Sequence, residues 1–165
     1  MIKTKKVEKM KKTKSFKIYE FVCPDVYKRD GEDAFRYFRP VLLDFMDWFR
    51  KEQGRPVYVN NWWWKGPQTQ RGLRCNLCKI VVSKKVLYVS GHISGSAVDF
   101  NVKDIHPDET RVWLEKNIHR FFEEYPQYIA KCRLESKEYA PTWVHIDFYD
   151  HDGEGIILYI KPIGL

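Results

Sequence analysis

Residues Ser90-Gly91-His92-Ile93-Ser94-Gly95-Ser96-Ala97-Val98-Asp99 place a histidine and an aspartate on either side of a turn. Two glycines and three serines in this stretch permit tight backbone, because a residue without a Cβ enters conformations closed to the others. The pattern predicts that His92 ends one strand, that the chain turns near Gly95, and that Asp99 lies in a second strand over 96–102. A second stretch, Trp143-Val144-His145-Ile146-Asp147, alternates polar and apolar residues. In a strand, His145 and Asp147 share one face while Val144 and Ile146 take the other. A polar face backed by an apolar one is what a site on a sheet surface requires.

Outward from these stretches the pattern predicts few helices and many strands. Residues 15–30 read as an extended lead-in closed by the Asp30-Gly31 turn. A helix is expected over 34–52, where Phe35, Phe38, Leu42, Phe45 and Phe49 recur at three- and four-residue steps. Asp33 would cap it and Gly54 stop it, and Pro40 would set its first turn apart. A strand over 56–61 leads to Trp62-Trp63-Trp64, of which at least one must line a cleft or cover the surface, since neighbours on a strand alternate faces. Residues 79–83 and 86–90 read as a hairpin. A second helix spans 107–124, started by Pro107, with Leu114, Ile118, Phe121 and Phe122 as its buried stripe. Strands follow over 128–135, 142–149 and 155–163, the last two joined by a turn at 150–153. The expected class is α+β, with a small, mostly antiparallel sheet and two main helices.

At 165 residues the chain fits one domain. Its 44% hydrophobic and 16% aromatic content excludes a disordered composition, and the absence of a long apolar run excludes a membrane span. The formal charge of +7 sits in residues 1–14, with seven lysines against Glu8; the remainder has 22 basic against 21 acidic residues. Basicity therefore belongs to a tail over 1–14, read as solvated and mobile, ahead of a folded domain over 15–165. A nucleic-acid-binding face is disfavoured, because the folded part has no excess of cations. No apolar stretch follows the lysines, so the tail is not read as a secretory leader.

Cys75 and Cys78 form a lone C-x-x-C, with Cys23 and Cys132 elsewhere. Without a secretory leader these thiols are expected to be reduced, and buried or incidental thiols are the leading reading. A structural zinc site would need further ligands, which Cys23 and Cys132 supply only if the fold gathers them. Of the five histidines, His106, His119 and His151 have ordinary helix and turn settings. His92, Asp99 and His145 make up a two-histidine, one-carboxylate set suited to a zinc with an open position, although spacing alone equally admits a hydrogen-bonded loop histidine.

The segment S-x-H-x-x-G-x-A-x-D, present as Ser90, His92, Gly95, Ala97 and Asp99, together with W-V-H-x-D at Trp143, Val144, His145 and Asp147, resembles the zinc D-Ala-D-Ala carboxypeptidase family. That family shares its fold with phage endolysins and the Hedgehog signalling domain, and residues 15–165 resemble its phage-type branch. The resemblance implies one zinc ion held by His92, Asp99 and His145, with Ser90 beside the first ligand. It implies an arginine that holds the peptide; Arg71 and Arg74 stand nearest, since Trp62–Trp64 replace the family's usual Gly-Tyr-Arg context. Many members carry a glutamate three residues before the last histidine, where this chain has Thr142. Asp147 and Glu135 are therefore the two candidates for the general base. The implied activity is hydrolysis of peptidoglycan stem peptides by a monomer. A protein made in the cytoplasm would reach the cell wall after release or as a virion component. The alternative is a zinc-containing, weakly catalytic domain that binds cell wall or another protein.

Overall fold

The structure, a computed structural model, describes residues 10–160; the start of the basic tail and the end of the expected 155–163 strand lie outside the described residues. The class is α+β. Two short helices open the described chain, α1 (Ile18–Phe21) and α2 (Pro24–Asp30), where an extended lead-in was expected. The helical signals in α2 are local: Pro24 in the first turn, Asp25 behind it, and Lys28 and Arg29 in the last turn. A 3₁₀ turn (Gly31–Tyr37) precedes α3 (Pro40–Gln53), so Pro40 does separate the first turn. Asp33 makes no cap, because the break leaves it inside that 3₁₀ turn, whereas Gly54 ends α3 in the left-handed conformation, at φ 58°. All five expected stripe residues are buried.

The strand expected over 56–61 shortens to β1 (Val57–Tyr58), and Trp62–Trp64 form a 3₁₀ turn with Trp64 66% exposed. The 79–90 hairpin is absent. Lys79–Val82 form one helical turn, α4, and the following residues to Ser90 have no regular structure. Their β-branched residues find no strand to pair with, and β propensity has little force without one. Val86, Leu87 and Val89 are instead exposed. His92 accordingly ends no strand but sits in a turn over 91–95.

After β2 (Ala97–Val102) comes α5 (Pro107–Glu124), with Leu114, Ile118, Phe121 and Phe122 buried as expected, then β3 (Cys132–Glu135), β4 (Val144–Asp147) and β5 (Ile157–Ile160). The sheet order is β1-β2-β4-β3-β5. Pairings are antiparallel except β3 with β5, which is parallel, so the sheet is mixed rather than mostly antiparallel. Both sides of β4 are taken by β2 and β3, so β5 does not pair with β4, the strand before it in sequence, and adds to the outer side of β3. Helices α3 and α5 pack on the face carrying Val98, Phe100, Leu134, Val144 and Ile146, all buried. Among the described residues no helix is long and apolar enough to cross a membrane.

Side chains of α3 and α5 hold two further parts of the chain in place. At the N-terminal end, Lys11 pairs with Asp44, and the backbone N–H groups of Lys14 and Ser15 donate to Asp47, both acids lying on α3. At the other end, buried Arg111 of α5 donates to the carbonyls of Glu135, Ala140 and Trp143, tying the end of β3 and the approach to β4. Arg111→Met would leave these carbonyls without their donor. Since each buried unsatisfied polar group costs about 1–3 kcal/mol, urea denaturation should register a loss on the order of 3 kcal/mol. An unchanged unfolding midpoint would contradict this role.

Candidate metal centre

The polar face of the sheet follows from strand alternation and register. Asp99 on β2 pairs with His145 on β4, and Asp147 on β4 pairs with Arg133 on β3, so these side chains rise on one side. Glu135 lies two residues along from Arg133 and shares its face. His92 reaches the same spot from the 91–95 turn. That turn needs Gly95: its φ is 66°, and a Cβ there would stand 1.9 Å from the Tyr37 carbonyl oxygen. The backbone N–H groups of Ser96 and Ala97 both donate to the Gly91 carbonyl and close the turn.

Three donor atoms converge. His92 Nε2 lies 3.3 Å from His145 Nδ1 and 3.3 Å from Asp99 Oδ1, while His145 Nδ1 lies 2.7 Å from Asp99 Oδ1. Adjacent ligands of a tetrahedral ion are separated by roughly 1.6 bond lengths, or about 3.3 Å for zinc bonds of ~2.0–2.1 Å. Two of the three edges match that figure. The short third edge is a hydrogen bond between imidazole and carboxylate. All three residues are buried, and together they can hold a metal ion.

The surrounding bonds select the ligating nitrogens. His92 Nδ1 is 2.8 Å from the Gly72 carbonyl oxygen, a contact that requires the proton on Nδ1 and leaves the Nε2 lone pair toward Asp99. His145 Nε2 faces Asp147 Oδ2 at 3.4 Å, which directs Nδ1 to the cluster. Burial opposes charge on Asp99, but His92 and His145 override it and hold the carboxyl below the usual carboxylate range. Burial likewise opposes protonation of His145, and the hydrogen bonds of Asp147 and Asp99 outweigh it, pushing its pKa up to about 10. For His92 burial dominates, and its pKa falls. The cluster thus presents one anion and a neutral imidazole, and a cation would have to displace the proton that the second imidazole holds against Asp99 and Asp147.

Family models, curated proteins and solved structures return no match to this chain.

A cavity of about 420 Å³ opens on the cluster, and Arg74, Ser90, Arg133, Glu135, Trp143 and Asp147 line it along with the three ligand residues. Of the two arginines named from sequence, Arg74 is at the cluster: its guanidinium donates to Asp99 Oδ2 at 3.1 Å, the Tyr88 hydroxyl and the Gln70 carbonyl. Arg71 donates to Asn101 Oδ1 at 2.6 Å and lines an adjoining cavity. Ser90 Oγ and Trp143 Nε1 are buried polar atoms with no protein partner, both at the cavity wall.

The two acids named as possible bases occupy different settings. Asp147 is 2% exposed, and both of its oxygens are committed: Oδ1 accepts from Arg133 Nε and the Tyr149 N–H, and Oδ2 accepts from Arg133 Nη2 and faces His145. Glu135 lines the cavity with Oε1 3.9 Å from His145 Nδ1, and burial raises its pKa. Arg133 was missed from the sequence, although the alternation Cys132-Arg133-Leu134-Glu135 mirrors that of β4 and carries its location. Tyr88 had no such local signal.

Asp147 orients a candidate ligand from behind, and removal of such a partner typically lowers metal affinity ~10–100-fold. Asp147→Asn should show a loss of that size in chelator competition at this site. Undiminished affinity would mean that the ring of His145 is held by other groups.

Proposed function

We propose that this chain is a zinc-dependent peptidase acting on peptidoglycan stem peptides, on a Hedgehog/DD-peptidase-type fold. The observation that carries the reading is the convergence of His92 Nε2, Asp99 Oδ1 and His145 Nδ1 on one point at the floor of a polar cavity. The two-part motif supports the substrate class by resemblance. Two imidazoles and a carboxylate, with the cavity on the remaining side, suit zinc used in catalysis, where one position stays open. Bound there, zinc would supply Lewis-acid polarisation and lower the pKa of a water to ~7.

The protein's own groups then divide the remaining work. Glu135 is the general base: it lines the cavity, as Asp147 does, but without the Arg133 fork on its oxygens, and its raised pKa suits a group that takes a proton from the attacking water and returns it to the leaving amine. Asp147 is a positioning residue, its carboxylate spent on Arg133 and His145. Arg74 uses three of its five N–H donors on Gln70, Tyr88 and Asp99, which leaves two for a peptide carboxylate or carbonyl. Ser90 and Trp143 form part of the cavity wall against which a peptide backbone would lie. Arg71 spends a guanidinium N–H on Asn101 and lines the adjoining cavity, which Arg74 and Asp99 also line, so it would meet a more distant part of a bound peptide.

Incubation with purified peptidoglycan should release free D-alanine or cross-link fragments, and chelation followed by zinc should remove and restore that release. Fragment analysis separates a carboxypeptidase from an endopeptidase. Zinc binding without any turnover on peptidoglycan would contradict the peptidase reading and favour the binding domain.

A further inference from the structure

The fold brings Cys23, Cys75 and Cys78 together. Cys23 Sγ lies 3.5 Å from Cys75 Sγ, and Cys75 Sγ lies 3.8 Å from Cys78 Sγ. All three sulfurs fall within 4.8 Å of one another. With Zn–S bonds of ~2.3 Å, tetrahedral geometry separates neighbouring sulfurs by about 3.8 Å, close to both contacts. Cys23 comes from 52 residues before Cys75, so no local turn accounts for the cluster. Cys132, the other cysteine named from sequence, is buried in β3 and takes no part.

We propose that Cys23, Cys75 and Cys78 form a second, thiolate zinc site, separate from the His92/Asp99/His145 centre. Three converging sulfurs are one more than a disulfide uses, and soft thiolates select zinc over hard cations. The Cys75-Asn76-Leu77-Cys78 loop is preformed, with the Cys78 N–H donating to the Cys75 carbonyl at 3.1 Å. Cys23 and Cys78 are buried and Cys75 half-buried, so the remaining position of the ion opens at the Cys75 side. Among the described residues no other histidine, cysteine or carboxylate joins the group, and a solvent molecule completes it. Each thiol releases its proton as its S–Zn bond forms.

The site would act as a clamp. It ties the start of α2 to the 71–78 segment, beside the Val22–Leu73 bridge and the Leu73 N–H to Phe21 carbonyl bond. That segment supplies Gly72 and Arg74, which hold His92 and Asp99. The inference stands independently of the peptidase reading, because it concerns other ligands.

Cobalt(II) titration of the reduced full-length protein tests it, since only thiolate ligands give an intense sulfur-to-cobalt charge-transfer band in the near ultraviolet. Wild type should bind two cobalt ions, one with that band. Cys75→Ser/Cys78→Ser should lose the band and one equivalent; His92→Ala/His145→Ala should lose the other equivalent and keep the band. Should the cysteine variant fail to fold, alkylation of wild type gives the same answer: zinc should protect three thiols. Absence of the charge-transfer band in wild type, or equal alkylation of the three thiols with and without zinc, would overturn the proposal whatever the state of the histidine centre.

Discussion

Glu135→Gln should lower peptide release from peptidoglycan by ~10²–10⁴-fold, the usual contribution of a general base, while leaving zinc at the histidine centre. The substitution keeps the size and hydrogen-bonding capacity of the side chain and removes only its ability to take a proton. Its backbone is fixed independently, because Arg111 holds the Glu135 carbonyl and β3 pairs on both sides. Asp147→Asn serves as the contrast. Its carboxylate is locked by Arg133 and the Tyr149 N–H, so its loss should appear in metal affinity, with kcat largely recovered at saturating zinc. The reverse pattern, full activity in Glu135→Gln and none in zinc-saturated Asp147→Asn, would transfer the role to Asp147.

The second large effect is thermodynamic. A ligand that binds only the folded state stabilises it by RT ln(1 + [L]/Kd), about 4 kcal/mol at a thousandfold excess over Kd. Zinc at that excess should raise wild-type stability by about 4 kcal/mol more than it raises that of His92→Ala/His145→Ala. The comparison removes any contribution from the thiolate cluster, which both proteins share. The origin of the effect is the buried Asp99 carboxylate, which without a metal is balanced by Arg74 and the two imidazoles. An equal zinc-induced shift in both proteins would show that this cluster binds no zinc in the folded state.

What could be read in the sequence was what short range determines. The bounds of α5 follow from Pro107 and a clean apolar stripe, and its span is the expected one. The alternation around His145 placed His145 and Asp147 on one face, and the serine–glycine turn carried His92 to Asp99. Interactions distant in sequence were less visible. β5 lies beside β3 rather than beside β4, the strand before it in sequence, and since β3 already runs antiparallel to β4 the returning strand is parallel to β3, a property of the assembled sheet. Residues 79–90 have strand-like composition, yet they wall the cavity instead of pairing, with Lys84, Tyr88 and Val89 along its lining. α2 was a different kind of miss: its proline start and charge order were present and the aromatic, extended look of the lead-in obscured them. At the site, both acids line the cavity, and what separates them is Arg133, whose fork occupies Asp147 and not Glu135.

The most direct measurement is an anomalous difference map, recorded across the zinc absorption edge from crystals grown with zinc. A peak is expected within bonding distance, about 2.0–2.2 Å, of His92 Nε2, His145 Nδ1 and Asp99 Oδ1, with Glu135 on its open side and Asp147 behind His145. No peak at that point in zinc-containing crystals, or an ion held there without His92 or His145, would contradict that expectation.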